Sequence, residues 1–492
     1  MQAGFVMRIL AGPALALALA SGEAARAQNI EPVGEPIEEA LETGVLLPGE
    51  VLRSSALTFP SILASFEREA AARADQLAAD GAFDLMLQGE AYDRVTGTFS
   101  GGFVEAEARQ PLAPMGAELY SSYHLSDGRF PIYENIYNTN EFGELKIGGL
   151  LSLLRDRRID DRRFEVEDAR LATGQARLDI LLVQLQVQHE ALRAYWRWVA
   201  AGYEIRVYEE LLEIAEARAV GLERQVRLGA APRIALTENE QNVLRRRILL
   251  TEAQRDFAMA ARSLSYYLRG GDGEVIVPSR DQLPEDLLDN IPDLAAIIAQ
   301  QTNFLLEQRP ELATLRIALE RARNTIALRE NDLQPRLDAF AELSRDFGPI
   351  GDGGPTFDST DTVVGVTFAV PLQRREARGR LRRAEAELRE LELREQRIAD
   401  EIGVEIDNIL TRLAAALRLA DLAEGEVEQA VTMVEAERRR FRLGAGDFFL
   451  VNVREEAAAD AQIREIRANL NGRLAQASYN AATMDLEALG LE

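Results

Sequence analysis

The chain has no cysteine, so neither a disulfide framework nor an N-terminal lipid carried on a thiol is available to it. It has only two histidines, His124 and His189, and they fall in different elements. A zinc site or a histidine base therefore lacks its parts. Beyond the first thirty or so residues there is no apolar run of about 18 or more, and no helical membrane span is possible. If the chain crosses a membrane, strands closed into a barrel must do it. Basic residues are also short: 56 Lys and Arg against 81 Asp and Glu leave a net charge of -25, which excludes nucleic acid as a partner. The glycines at 97–102 and 348–354 have no following P-loop lysine and cradle no phosphate. No nucleophile–base pair can be placed. The chain reads as a non-enzyme without cofactor or metal.

What is present is apolar and helix-forming. Of 492 residues 47% are hydrophobic and 28% charged, with Ala, Leu, Glu and Arg dominant, the mixture of long helices. Residues 1–27 read as a secretory signal: Arg8, an apolar run from Ile9 to Ala20, then the small-x-small site Ala25-Arg26-Ala27.

After the signal, residues 28–61 carry Pro32, Pro36, Pro48 and Pro60 and read as an extended lead-in. Two copies of one pattern follow, 62–268 and 293–492, each a short helix, two strands, a very long helix and a short helix. A breaker-rich linker, 269–292, separates them near the equator of the molecule. In the first copy the expected elements are a helix from Ile62 to Ala79, strands Leu85–Arg94 and Ala117–Leu125, and a helix from Asp160 to Leu228 that continues, after a turn, to Leu268. In the second they are a helix from Asp293 to Asp332, strands Arg336–Ser344 and Thr362–Val370, and a helix from Arg374 to Leu443. Each long helix spans roughly 100 Å at 1.5 Å per residue. The ladder Leu381, Ala384, Leu388, Leu391, Ile398, Ile402, Ile409, Leu413 steps mostly by threes and fours, as a coiled-coil seam does. Arg227-Leu228-Gly229-Ala230 recurs as Arg442-Leu443-Gly444-Ala445 at the end of each long helix, and an internal duplication is the simplest account.

The strands alternate. Leu337, Ala339, Ala341 and Leu343 oppose Arg336, Asp338, Glu342 and Ser344; Val364, Val366, Phe368 and Val370 oppose Gly365 and Thr367. Apolar-out and polar-in suits a lipid-spanning barrel with a wet lumen, although a half-buried strand of a soluble sheet reads the same way. Four strands cannot close alone, and long apolar helical seams left in water would be unfavourable by tens of kcal/mol at about 25 cal/mol per Å². Both arguments call for several chains.

Taken together, the signal, the duplication, paired strands before each long helix, the R-L-G-A turn and the junction Leu151–Arg163 (LSLLRDRRIDDRR) resemble the TolC-like outer-membrane factors. The resemblance implies a mainly α fold with a membrane β-barrel. Three chains would form a twelve-stranded barrel continuous with a long α-helical coiled-coil barrel, set in outer-membrane lipid and extending into the periplasm. It further implies an outer-membrane channel-tunnel component of a tripartite efflux or type I secretion system, with a periplasmic adaptor (membrane fusion) protein and an inner-membrane pump of RND or ABC type as partners. A secreted periplasmic coiled-coil scaffold or tether without transport activity is the rival; it would share the helices but not need the alternating strands.

In such a duct the functional weight falls on the two tips. Arg227, Leu228, Gly229, Ala230 and Pro232 form one, and Arg442, Leu443, Gly444, Ala445 and Asp447 the other. The resemblance makes these the gate and the adaptor-docking surface: the small residues would admit an adaptor backbone, and Arg227 and Arg442 would tie neighbouring helices shut. Some relatives ring the gate with aspartates where this chain has Leu450, Asn452 and Val453, so an aspartate-ring gate is not expected. Glu455-Glu456 read as a solvated or lumen-lining face, His124 and His189 as lumen or helix-surface residues, and Tyr195, Trp196, Trp198 and Tyr203 as packing between helices.

Overall fold

The computed structural model describes residues 44–131, 138–285, 309–350 and 359–491. The signal at 1–27, the start of the lead-in, the segment 286–308 and part of the loop after Phe347 lie outside the described residues. The chain divides into two compact units. The described part of one is 70–175 with 316–393; the other holds 44–69, 176–285, 309–315 and 394–491.

The elements in chain order are α1 (Pro48–Thr58), α2 (Pro60–Asp80), β1 (Met86–Asp93), β2 (Gly102–Leu112), β3 (Ala117–Asp127), β4 (Glu144–Ser152), α3 (Asp161–Arg227), α4 (Arg233–Ser265), α5 (Pro310–Asn331), β5 (Arg336–Asp346), β6 (Asp361–Ala369), α6 (Arg375–Arg442) and α7 (Phe448–Thr483). The two long helices, of 67 and 68 residues, fall within a residue of their expected bounds. The lead-in is not wholly extended. Pro48 opens α1, where a missing N–H costs nothing, and the Glu50 carboxylate accepts from the Leu47 N–H at 2.8 Å.

All six strands form one antiparallel sheet in the order β1-β2-β3-β4-β5-β6. This corrects the expected two strands between α2 and α3: there are four among the described residues. β2 occupies what reads as a loop between Gly97 and Pro111, and β4 runs up to Ser152, into the stretch taken as a strand-to-helix junction. Both hide for physical reasons. In β2 the alternation rests on Ala106 and Ala108 against Glu105 and Glu107, too little hydrophobic contrast to mark a strand. β4 carries Gly148-Gly149, residues that usually weaken one. Here a Cβ on Gly148 would sit 2.3 Å from the Tyr120 ring, so the glycine makes room for Tyr120 to lie across the sheet and donate to Glu342 Oε2 at 2.9 Å.

The pairing register sorts the side chains. One row across the sheet is Leu87, Ala108, Ser121, Ile147, Leu343 and Thr362; the next, on the opposite face, is Gln88, Glu107, Ser122, Lys146, Ser344 and Asp361. Most of the exposed apolar side chains of the strands, Leu87, Leu119, Ile147, Leu343, Val364, Val366 and Phe368, fall on the first face, and Met86 and Val363 fall on the second. Polar contacts such as Lys146 Nζ to Glu342 Oε1 at 3.4 Å fall on the second.

The junction from Leu151 onward does turn strand into helix. Asp156 adopts a left-handed φ of 65° and exchanges two 2.8 Å hydrogen bonds with the Asn331 amide, while Asp160 accepts from the Arg163 N–H at 2.9 Å as a cap for α3. In the same unit Arg321 grips Asp168 through two 2.7 Å contacts, tying α5 to α3.

The other unit holds the main core. Tyr195, Trp196 and Trp198 of α3 are buried with Leu264, Leu268, Leu46 and Leu489, as their reading as packing residues required. The Tyr195 hydroxyl donates to the Leu46 carbonyl at 2.9 Å, and burial pushes that phenol up, out of reach of ordinary titration. Buried Gln188 donates to the Leu52 carbonyl at 2.9 Å and accepts from Ser55 at 2.7 Å, fastening α1 to α3. Trp198→Ala should cost roughly 3–5 kcal/mol and Leu228→Ala, at an exposed position, less than about 0.5 kcal/mol. Urea unfolding of the purified variants followed by circular dichroism checks the contrast.

Candidate functional site at the helix tips

Each long helix ends in the same backbone device. Gly229 and Gly444 take left-handed φ values of 69° and 74°. The Ala230 N–H reaches the Gln225 carbonyl at 2.8 Å and the Gly229 N–H that of Val226 at 3.1 Å; Ala445 and Gly444 do the same to Arg440 at 2.9 Å and Phe441 at 3.0 Å. These are Schellman closures, and they satisfy carbonyls the helix end would otherwise leave bare. Pro232 then caps α4, and Asp447 caps α7 by accepting from the Phe449 N–H at 3.2 Å.

Side chains at the turns face outward. Leu228 is 75% exposed and Leu443 83%, and a Cβ on Gly229 or Gly444 would meet nothing within 4 Å. Gly446 differs: a Cβ there would sit 2.8 Å from the Phe441 nitrogen, so this glycine permits a close backbone approach. Arg227 and Arg442 are exposed and make no ion pair within the described residues.

A buried tie lies farther along the helices. Glu455 of α7 is fully buried, contrary to its reading as solvated. Its Oε1 accepts from Arg218 of α3 at 2.5 Å and from Arg438 of α6 at 3.0 Å; its Oε2 accepts from Arg246 of α4 at 3.2 Å. One carboxylate thus joins four helices. Arg246 has no exposed side-chain surface and also donates to the Leu211 carbonyl at 2.6 Å; Arg218 donates to Asn452 Oδ1 at 2.6 Å and lies over the Phe448 ring. Burial by itself would push the Glu455 carboxyl up, but the hydrogen bonds and charges of Arg218 and Arg438 outweigh it and hold the group below the usual carboxylate range. Burial also lowers the Arg246 guanidinium, against the pull of Glu455. The sequence did carry a signal for this site. Glu455 continues the helical spacing of the buried residues Phe448, Val451, Asn452 and Ala459, so it stands in a core position.

The remaining candidates fall elsewhere. His124 is buried on the polar face of the sheet with Nδ1 3.8 Å from Glu105. His189 is half-buried between helices rather than on their surface; Nε2 lies 3.1 Å from Ser478 Oγ, and burial lowers its pKa. Among the described residues no group of acids and histidines could hold a metal, and no helix is long and apolar enough to cross a membrane.

Comparison with known proteins agrees with this geometry. A family model described as "Outer membrane efflux protein" matches residues 302–484. The fold is that of solved outer-membrane channels. OprN superposes with a TM-score of 0.66 at 16% identity, covering 90% of both chains. VceC of Vibrio cholerae gives 0.61 at 15%, covering 90% of this chain and 97% of its own. MtrE of Neisseria gonorrhoeae, in its open state, gives 0.61 at 13%, covering 90% and 89%. No curated protein sequence matches. The resemblance to the TolC-like outer-membrane factors holds at the level of the fold.

A carboxyl held below its ordinary pKa stabilises the fold fully above the unfolded value and loses that contribution as pH falls through the folded one. Glu455→Gln should therefore cost roughly 3 kcal/mol at neutral pH. The difference from the parent should shrink once pH drops below the ordinary carboxylate value of about 4.3. Urea midpoints measured across pH by tryptophan fluorescence test this; a pH-independent difference would show that Glu455 acts by packing alone.

Proposed function

We propose that this chain is the outer-membrane channel-tunnel component of a tripartite efflux or type I secretion system. It works as a homotrimer and as a passive conduit, gated at its periplasmic tip. The observation that carries this reading is the two-faced sheet. A soluble tether has no use for a sheet that presents Leu119, Ile147, Leu343, Val364, Val366 and Phe368 to its surroundings on one side while the other side is lined by carboxylates. In lipid the first face belongs outside and the second lines a wet lumen. Further copies are required because an open sheet edge is not tolerated in hydrocarbon.

The two halves, 62–268 and 293–492, descend on this reading from one duplicated unit, each delivering one tip. The tips offer Leu228 and Leu443 with glycine and alanine beside them, a small apolar knob on an open backbone, suited to the helical hairpin of a periplasmic adaptor. The Glu455 cluster holds the helices of both tips together in the resting state; opening requires those helices to part, and adaptor contact supplies the force. An inner-membrane pump, RND or ABC, provides the energy, since no motif for nucleotide is present.

The lumen face carries Glu90, Glu105, Glu107, Glu118, Glu144 and Glu342 against Arg109, Lys146 and Arg336. The purified trimer in a planar bilayer should therefore conduct with cation preference, and a non-selective or anion-selective current would contradict the assignment of faces. Leu228→Asp combined with Leu443→Asp should leave folding unchanged and reduce adaptor co-purification at least tenfold. Unaltered adaptor recovery would remove the tips from the docking surface.

A further inference from the structure

The sheet contains six strands, and we infer that all six are wall strands, so that the trimer closes an eighteen-stranded barrel with each β1 pairing to β6 of the next copy. This rests on the trimeric channel reading above and deepens it by fixing the seam and the width of the pore.

Three observations lead there. First, β1 and β2 share the two-faced pattern of the other strands. Leu87 and Ala91 of β1, with Val104, Ala106 and Ala108 of β2, fall in register on the apolar face, while Gln88, Glu90, Glu105 and Glu107 fall on the other, where Met86 and the edge-to-face rings of Tyr92 and Phe103 sit at the two ends of the hairpin. A hairpin standing in water outside the wall, or folded into the lumen, would have no reason to keep an apolar side aligned with that of its neighbours. Second, the order β1 to β6 leaves one free edge at each end of the sheet, and neither free edge has a partner strand among the described residues. Third, six is even and every pairing is antiparallel, so β1 and β6 run in opposite directions. A second copy placed beside the first by rotation about a common axis then meets it antiparallel, strand of eight residues against strand of nine, with apolar faces on the same side. The occupant of each edge is the opposite edge of another copy of this chain.

Width follows from strand number. With strands about 4.8 Å apart and tilted by about 40°, twelve strands make a barrel of about 24 Å between backbone walls and eighteen make one of about 36 Å. The outer-membrane section of this duct is thus about half again as wide as the four-strands-per-chain count allows. It suits bulkier cargo at the exit than that count would.

The absence of cysteine makes the test clean. Leu87→Cys or Ala91→Cys in β1 is combined with Val364→Cys or Val366→Cys in β6, and outer membranes are oxidised with copper phenanthroline. At least one pair should give dimer and trimer bands after boiling without reductant, while single variants give none. Ser121→Cys in β3 with the same β6 cysteines should give none. Cross-linking through Ser121, or no β1–β6 cross-link in a heat-modifiable trimer, would overturn the inference. Should the double variants not assemble, the strand count in an electron cryomicroscopy map of the unmodified trimer decides: eighteen supports the inference and twelve overturns it. A trimer with twelve strands defeats only the count, whereas a soluble monomer defeats the channel reading as well.

Discussion

Backbone hydrogen bonding at the edge of a β-sheet is the constraint from which the rest of this molecule follows. Every strand has donors and acceptors on both sides, and leaving a row of them in hydrocarbon costs several kcal/mol per group. Inside the sheet the rows are satisfied from β1 through β6, but the outer sides of β1 and β6 end without a neighbour among the described residues. The apolar face rules out water as the remedy, since exposing it would trade one unfavourable term for another. Only more strands of the same two-faced kind serve both needs, and on the proposed channel reading further copies of the chain supply them.

The helical unit solves a different problem by different means. Helices satisfy their own backbone, so what must be arranged is side-chain burial and the helix ends. Burial centres on Tyr195, Trp198, Leu264 and Leu489. The ends of both long helices close through glycine in the left-handed region, which a residue with a Cβ would adopt only at a cost of about 1 kcal/mol. Among the described residues this unit also holds an expensive feature, a buried carboxylate with three arginines around it. Such clusters are weak contributors to net stability compared with apolar packing, yet breaking one by removing a partner is costly. A contact of this kind holds one arrangement of four helices firmly and gives little to any intermediate arrangement.

How much of this could be read in advance depended on contrast. Long helices announce themselves through dozens of residues of one period, so their ends were legible to within a residue, and the twin R-L-G-A turns pointed to the same two Schellman closures now seen. Strands offer eight to eleven residues each, and where the apolar member is alanine or glycine the signal sinks. That is why β5 and β6, rich in Leu, Val and Phe, were legible while β2 was not, and in β4 the Gly148-Gly149 pair masked a row that otherwise carries Leu145, Ile147 and Leu151. Glu455 was misread because a charged residue is assigned to solvent by default, and its partners come from three other helices at sequence separations of up to 237 residues. Local pattern does not encode such long-range pairing; the helical spacing of its buried neighbours was the only hint.

The account stands or falls on whether one copy can exist as a folded unit. Native mass spectrometry of the detergent-purified full-length protein measures this directly. The account predicts a single species at three times the mature chain mass, with folded monomer absent at every detergent concentration that preserves circular dichroism. A stable monomer retaining its β-sheet signal would contradict it.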